Sequence, residues 1–336
     1  MTGSDLESHL ADHADHADEV AEADRTAVKS KSPTQLAMAR FRKDKLSMAA
    51  AIVVLTYTLA AIAAPFLVWF GVIDPYTSNQ DLTDSFGLPT GDWGGISGDH
   101  WLGVEPGIGR DTLARVWYGI TFSLVIALTA TFMAMFIGVV LGIVSGAAGG
   151  WVDTIIGRLI DLTLSFPQVL LLLALSSIAY EFITTVLNVP EGAVGWGFYV
   201  IVMLGLFGWT GIARIVRGQV LSIREREFVA AAQMAGASRF RVYFREILPN
   251  VWAPILVTFT LIMPVFVSAE AAFSFLGVSV PPPTPTLGNV LYDGLRYADT
   301  APIYFFVPAI MIAIIVLSFN LLGDGLRDAL DPKSDR

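Results

Sequence analysis

Residues 225–250 read EREFVAAAQMAGASRFRVYFREILPN and separate two long uncharged runs. Ser222 to Glu225 fits a capping box, with a hydroxyl for the third amide and a carboxylate reaching back. A helix is therefore expected to run through EREFVAAAQMA. Ala230, Ala231 and Ala232 give it a patch of small side chains that another surface can approach. Gly236 stands where a chain can take positive φ and stop the helix. Ser238 is placed to cap a second helix, RFRVYFREIL, on which Phe240, Tyr243, Phe244 and Ile247 recur at amphipathic spacing. Pro249 stands at the start of the next apolar run. Two readings fit: a helix–turn–helix projecting from one membrane face, or a hairpin lying on lipid.

The surrounding chain sets the membrane context. Of its 336 residues, 54% are hydrophobic and 15% are charged, whereas an ordinary soluble domain carries about 25% charged residues. Mean hydropathy is +0.62. Cysteine is absent, which excludes disulfides and thiolate chemistry. Arg outnumbers Lys 16 to 5, and the net charge is −9. That acid-rich, lysine-poor balance suits a high-salt cytoplasm, although an acidic tail alone would produce it. Residues 1–24 hold eight acids and no Lys or Arg. His9, His13 and His16 recur there at near-helical spacing; the tail reads as solvated, with metal binding as the alternative. No secretory signal peptide is apparent at this start.

Six uncharged runs mark the crossings: 46–73, 116–152, 162–180, 192–213, 247–269 and 300–323. About 20 apolar residues suffice to cross the hydrocarbon core. The run 116–152 is too short for two helices and a turn, so it is expected to hold one long helix. A seventh run, 271–292, contains Pro281, Pro282, Pro283 and Pro285. Proline removes backbone donors, so this run is expected to be a loop. With the N-terminus inside, cytoplasmic segments hold 18 of the Lys and Arg residues and outside segments hold 3. The basic-residue rule therefore places both termini and the 225–250 segment in the cytoplasm. The first outside loop, 74–115, turns into an amphipathic stretch near Asp111 that is expected to lie at the interface, with Trp117 and Tyr118 at headgroup level.

The middles of the six runs carry no charge, which argues against an ion- or proton-coupled pump. Arg158, Asp161 and Glu270 lie near helix ends, where they can pair or reach water; facing a translocation path is the alternative. Gly138, Gly142 and Gly146 recur every four residues in the second crossing, a spacing that lets another helix approach closely. None of Lys29, Lys31, Lys43, Lys45 and Lys333 follows the glycines of a phosphate-cradling P-loop. The chain thus reads as a helical scaffold driven by energy from elsewhere.

The 225–250 segment resembles the cytoplasmic loop of permease subunits of binding-protein-dependent ABC importers. Its pattern is Glu-Ala-Ala, three residues, Gly, then Leu-Pro about eleven residues on. Ala231, Ala232, Gly236, Leu248 and Pro249 match it, while Ala230 occupies the leading Glu position, with Glu225 and Glu227 nearby. LGVEPGIGRDTLARVWYGITFSL (102–124), GGWVDTIIGRLIDLTLSFP (149–167), SFLGVSVPPPTPTLGN (274–289) and FNLLGDGLRDALDP (319–332) resemble the dipeptide/oligopeptide/nickel permease family, and its C-type subunit in particular. The resemblance spans residues 40–332.

It implies an all-α integral membrane fold of the type I ABC importer permease, in the cell membrane. The expected division is a cytoplasmic tail and juxtamembrane segment (1–45), a first crossing with its outer loop (46–117), a five-helix core (118–325) containing a coupling loop (222–249), and a short tail (326–336). The implied partners are a second permease chain, two ATPase subunits that hold ATP and Mg, and an external substrate-binding protein. The bilayer surrounds the chain, and nucleic acid is not expected. No cofactor, metal or catalytic residue is expected in this chain. Peptides are the implied cargo, with nickel or sugars as alternatives. An ion-coupled secondary transporter and a membrane scaffold are the readings from other classes.

Overall fold

The structure is a computed structural model that describes residues 33–330. The acidic stretch 1–24, with His9, His13 and His16, lies outside the described residues, as does the end of the 326–336 tail. Among the described residues there are helices and two isolated bridges, Thr83 with Pro89 and Val104 with Asp111.

A short helix α1 (Pro33–Lys43) leads to α2 (Lys45–Trp69). Asp44 breaks the two apart, and its carboxylate accepts the Leu46 amide at 3.0 Å to start α2. The second crossing, α3 (Thr112–Ala148), is one helix of 37 residues. At ~1.5 Å per residue it is roughly 55 Å long, well beyond the ~30 Å hydrocarbon core. Asp111 caps it by accepting the Ala114 amide at 2.6 Å. The amphipathic stretch after Asp111 is therefore the first turns of α3 itself, not a separate interfacial segment. Trp117 donates from its ring to the Ala60 carbonyl of α2 at 3.0 Å.

Gly149 and Gly150 adopt positive φ and end α3. The chain turns at once into α4 (Gly150–Ser165), a helix where a connecting segment was expected. Pro167 then separates α4 from the third crossing, α5 (Gln168–Thr185). The uncharged run 162–180 is thus shared between two helices. Hydropathy does not see the break, because Phe166 and Pro167 are themselves uncharged. The fourth crossing is α6 (Ala193–Ile223), the fifth α8 (Trp252–Phe275) and the sixth α10 (Pro302–Leu330). Between α6 and α8 stand α7 (Glu227–Met234) and a further helical stretch, 239–250. Among the described residues, six helices are long and apolar enough to cross a membrane.

The loop reading of 271–292 needs correction at both ends. Helix α8 continues to Phe275, and α9 (Leu287–Leu295) begins directly after the last proline. The prolines stop at residue 285, and Thr286 and Asn289 form a reciprocal capping box. The box satisfies amides that would otherwise be orphaned, so a helix resumes there.

The core is uneven. About half of an 18-residue apolar stretch of α3, α6 and α8 is buried, against 11% for α2, 17% for α5 and 22% for α10. Helix α3 packs along α6 through the glycine face. Gly138, Gly142 and Gly146 face Ile212, Val216 and Val220; a Cβ added at Gly138 would stand 2.6 Å from the Ile212 Cβ. Polar ties fix the rest. Tyr199 of α6 donates to the Leu172 carbonyl of α5 at 2.5 Å. In the loop between α2 and α3 Glu105 takes Arg110 at 2.5 and 2.8 Å, and fully buried Arg115 lies 3.4 Å away. Arg115 also donates to the Pro283 carbonyl at 3.4 Å, which joins the start of α3 to the proline-rich connection.

Candidate functional site

The loop after α6 holds most of the residues singled out from the sequence. Its first feature differs from expectation. The Ser222–Glu225 capping box does not form, because α6 runs on through Ile223, and the Arg224 amide is taken by the Val220 carbonyl at 2.8 Å. Ser222 is therefore helical, whereas an N-cap needs extended backbone. Helix α7 starts a turn later, with Arg226 extended at its N-cap and Glu227 in its first turn. Glu227 sits there against the positive end of the short helix.

The end of α7 follows a glycine-closed pattern. The Ala235 amide reaches the Ala231 carbonyl at 3.0 Å, and the Ala237 amide reaches the Ala232 carbonyl at 3.0 Å. That wrapping needs a left-handed residue between them, and Gly236 has φ +79°. Nothing lies within 4 Å of a Cβ built on Gly236. Ser238 then accepts the Arg241 amide at 3.3 Å and starts the helical stretch that carries Phe240, Tyr243, Phe244 and Ile247. Residues 242–247 form a π-turn, and 248–250 a tight 3-10 turn containing Pro249. The wider turn and Pro249 lie directly before the start of α8 at Trp252.

One side of this hairpin is anchored and the other is open. Val229, Val242 and Ile247 are buried in the core, and Leu248 packs partly against it. Phe228, Ala230, Ala231, Met234, Gly236 and Phe240 are exposed, Met234 at 84%. Ala232 is half-buried. The exposed face is thus apolar with small side chains at its centre, a shape that a groove on another protein can follow.

Beside this loop the end of α3, the start of α4 and the end of α6 are cross-linked. Asp153 of α4 accepts Ser145 Oγ at 2.5 Å, Arg217 Nε at 2.6 Å and Arg217 Nη2 at 2.7 Å. The hydrogen-bonded Arg217 guanidinium holds the Asp153 carboxyl down to about 2. Arg224 Nη1 donates to the Gly146 carbonyl at 2.9 Å. Neither Asp153 nor Arg217 stood out in the sequence. Each is one polar residue beside an apolar run, and their partnership spans 64 positions.

The three charges expected near helix ends fall into different settings. Asp161 pairs with Arg214 of α6 at 2.9 Å rather than with Arg158, and both partners are exposed. Arg158 is exposed. Glu270 neither pairs with a cation among the described residues nor reaches water, since it is fully buried. Its Oε2 accepts Ser123 Oγ at 2.8 Å, and its Oε1 accepts Ser279 Oγ at 3.0 Å and Ser274 Oγ at 3.3 Å. Ser123 in turn accepts the first amide of α9, Leu287, at 3.0 Å. Glu270 therefore knits α3, α8 and the start of α9 together. A position one turn from a helix end suggests water; the fold closes α9 over it instead.

Comparison with known proteins places this geometry. Residues 138–336 match the model of the binding-protein-dependent transport system inner membrane component. Residues 32–88 match the N-terminal TM domain of oligopeptide transport permease C. The oligopeptide transport system permease protein OppC of Bacillus subtilis (strain 168) is 37% identical over 93% of each chain. The dipeptide transport system permease protein DppC of the same organism is 37% identical over 94% of this chain and 90% of that one. A solved structure of the MetNI methionine ABC transporter in an inward-facing conformation aligns with a TM-score of 0.52 at 17% identity. It covers 65% of this chain and 97% of that one, so that part of the helical scaffold shares the fold. With a family match over residues 138–336 and relatives that align over nearly the full length, the chain belongs to the inner membrane components of binding-protein-dependent ABC importers.

Proposed function

We propose that this chain and a second permease chain form the membrane path of an ATP-driven importer of di- and oligopeptides. Two partner ATPase subunits would hold ATP and Mg, and an external binding protein would deliver the cargo. The peptide assignment is supported by the relatives, which are named as oligopeptide and dipeptide permeases. The loop 222–249 is the joint to an ATPase subunit. The observation that carries this is the exposed, small-residue face of α7, closed by Gly236 at positive φ and anchored beneath by Val229. In this reading the loop and both termini face the cytoplasm, in line with the 18 to 3 division of basic residues. Residues 1–45 and 326–336 are then cytoplasmic tails flanking the crossings.

The test is ATP-dependent uptake of labelled peptides into proteoliposomes holding the complex purified from its native membrane. Gly236→Val meets a left-handed penalty of roughly 1–2 kcal/mol, and Ala231→Trp overfills the approach surface. Both are expected to lower uptake and ATPase co-purification at normal membrane abundance. Unchanged uptake and ATPase association in both variants would remove the loop as the joint.

A further inference from the structure

The cross-links beside the loop lie on α3, α4 and α6 and not on the exposed face of α7. Helix α7 is joined to α6 by three residues, Arg224, Glu225 and Arg226. Besides Val229, which rests on the core, α7 is joined to the core through the backbone at Arg224, the C-cap of α6. A single helix end loaded from the side frays or bends unless neighbours brace it. Here two braces stand within the last two turns. Arg224 is hydrogen-bonded to the Gly146 carbonyl in the last turn of α3. Arg217, two turns earlier, grips Asp153 in the first turn of α4 with two parallel bonds, and Ser145 of α3 completes the carboxylate's shell. Between them Gly146 lets the α3 backbone approach so closely that a Cβ there would stand 2.8 Å from Val220 Cβ. The turn from α3 into α4 and the distant end of α6 thus meet at one point.

We propose that Asp153 and Arg217, with Arg224, are positioning residues that make the inner ends of α3, α4 and α6 one rigid arm, so that displacement of α7 is delivered to the core instead of being absorbed at residues 224–226. The bidentate geometry supplies the stiffness, since a planar guanidinium on a carboxylate resists rotation as well as separation. The Asp161–Arg214 pair further along the same two helices offers a contrast. It is a single contact between partners that are 61% and 54% exposed, so it braces little. This inference rests on the loop being the joint to the ATPase, and its failure is separable from that reading. Loss of the joint removes ATPase association, whereas loss of the brace leaves it in place.

The experiment uses the complete complex in lipid nanodiscs. The chain has no native cysteine, so spin labels can be placed at Trp151→Cys on α4 and Arg239→Cys beyond α7, both exposed positions. Their distance distribution is read by pulsed electron resonance with and without a non-hydrolysable ATP analogue. The parent is expected to keep one narrow distribution in both states. With Asp153→Asn added, the distribution should broaden or shift when nucleotide binds, while ATPase co-purification stays at the parent level. Peptide uptake per ATP hydrolysed should fall roughly five- to tenfold. Asp153→Glu should restore most of that ratio, and Asp161→Asn should leave it unchanged. Should Asp153→Asn fail to assemble, Arg217→Lys, which keeps the charge and loses the second bond, decides by the same readouts. A distribution that already changes with nucleotide in the parent overturns the proposal. So does one that stays narrow in the assembled variant, or an uptake-to-hydrolysis ratio that does not move.

Discussion

The tight contact of α3 on α6 can be tested at Gly138. A methyl group added there would lie 2.6 Å from Ile212 Cβ, 2.8 Å from Ile212 Cγ2 and 2.8 Å from the Trp209 carbonyl oxygen. Ordinary carbon contacts begin near ~3.5 Å, so the helices would have to separate by roughly 0.7–0.9 Å. Ile212 is fully buried and has no free space to retreat into. Overpacking of this kind costs about 1–3 kcal/mol, and replacing a helical glycine by alanine returns at most about 1 kcal/mol. Gly138→Ala should therefore be destabilised by roughly 0–2 kcal/mol, and Gly138→Leu by about 3 kcal/mol or more. Gly211 on α6 is the control: it is exposed, and nothing lies within 4 Å of a Cβ built there. Gly211→Ala should hold or raise stability. The assay is the fraction of detergent-solubilised complex that stays monodisperse after stepwise heating. The order of midpoints should be Gly211→Ala at or above the parent, then Gly138→Ala, then Gly138→Leu several degrees lower. If Gly138→Leu and Gly211→Leu lost the same stability, the close approach of the two helices would be wrong.

Two further outcomes follow from the same geometry. Glu270→Gln keeps an acceptor for Ser123 and can turn its amide toward Ser274 and Ser279, whose hydroxyls rotate to receive it. It should fold within about 1 kcal/mol of the parent, whereas Glu270→Leu orphans Ser123 and Ser279 and should cost ~2–4 kcal/mol; equal damage from both, in the same heating assay, would mean that the charge itself is required. An impermeant thiol reagent added to intact cells should leave Ser238→Cys unlabelled until the cells are lysed; labelling without lysis would invert the proposed topology.

The crossings were legible in the sequence because their cause is local. In lipid every backbone amide must be satisfied within its own helix, and each side chain bears its own transfer cost, so uncharged runs mark the spans wherever they pack. The turn at Gly236 was legible for a similar reason: positive φ is a property of one residue, and its neighbours Ala235 and Ala237 close the helix around it. The four-residue glycine spacing announced a close approach, while only the fold named α6 as the helix that approaches.

Where two local signals competed, the tertiary structure decided between them. Ser222 could cap a new helix or continue the old one. The packing of Val216 and Val220 against α3 carried α6 past it, and the cap was lost. The uncharged run 162–180 concealed a break at Pro167, since hydropathy averages over the residue that ends the helix. The polar residues were the least legible. Glu270 meets Ser123 across 147 positions, and Asp153 meets Arg217 across 64. No window of sequence contains either pair. A buried carboxylate is tolerated only where donors converge on it, and that convergence is created by the packing of helices whose own apolar faces give no sign of it.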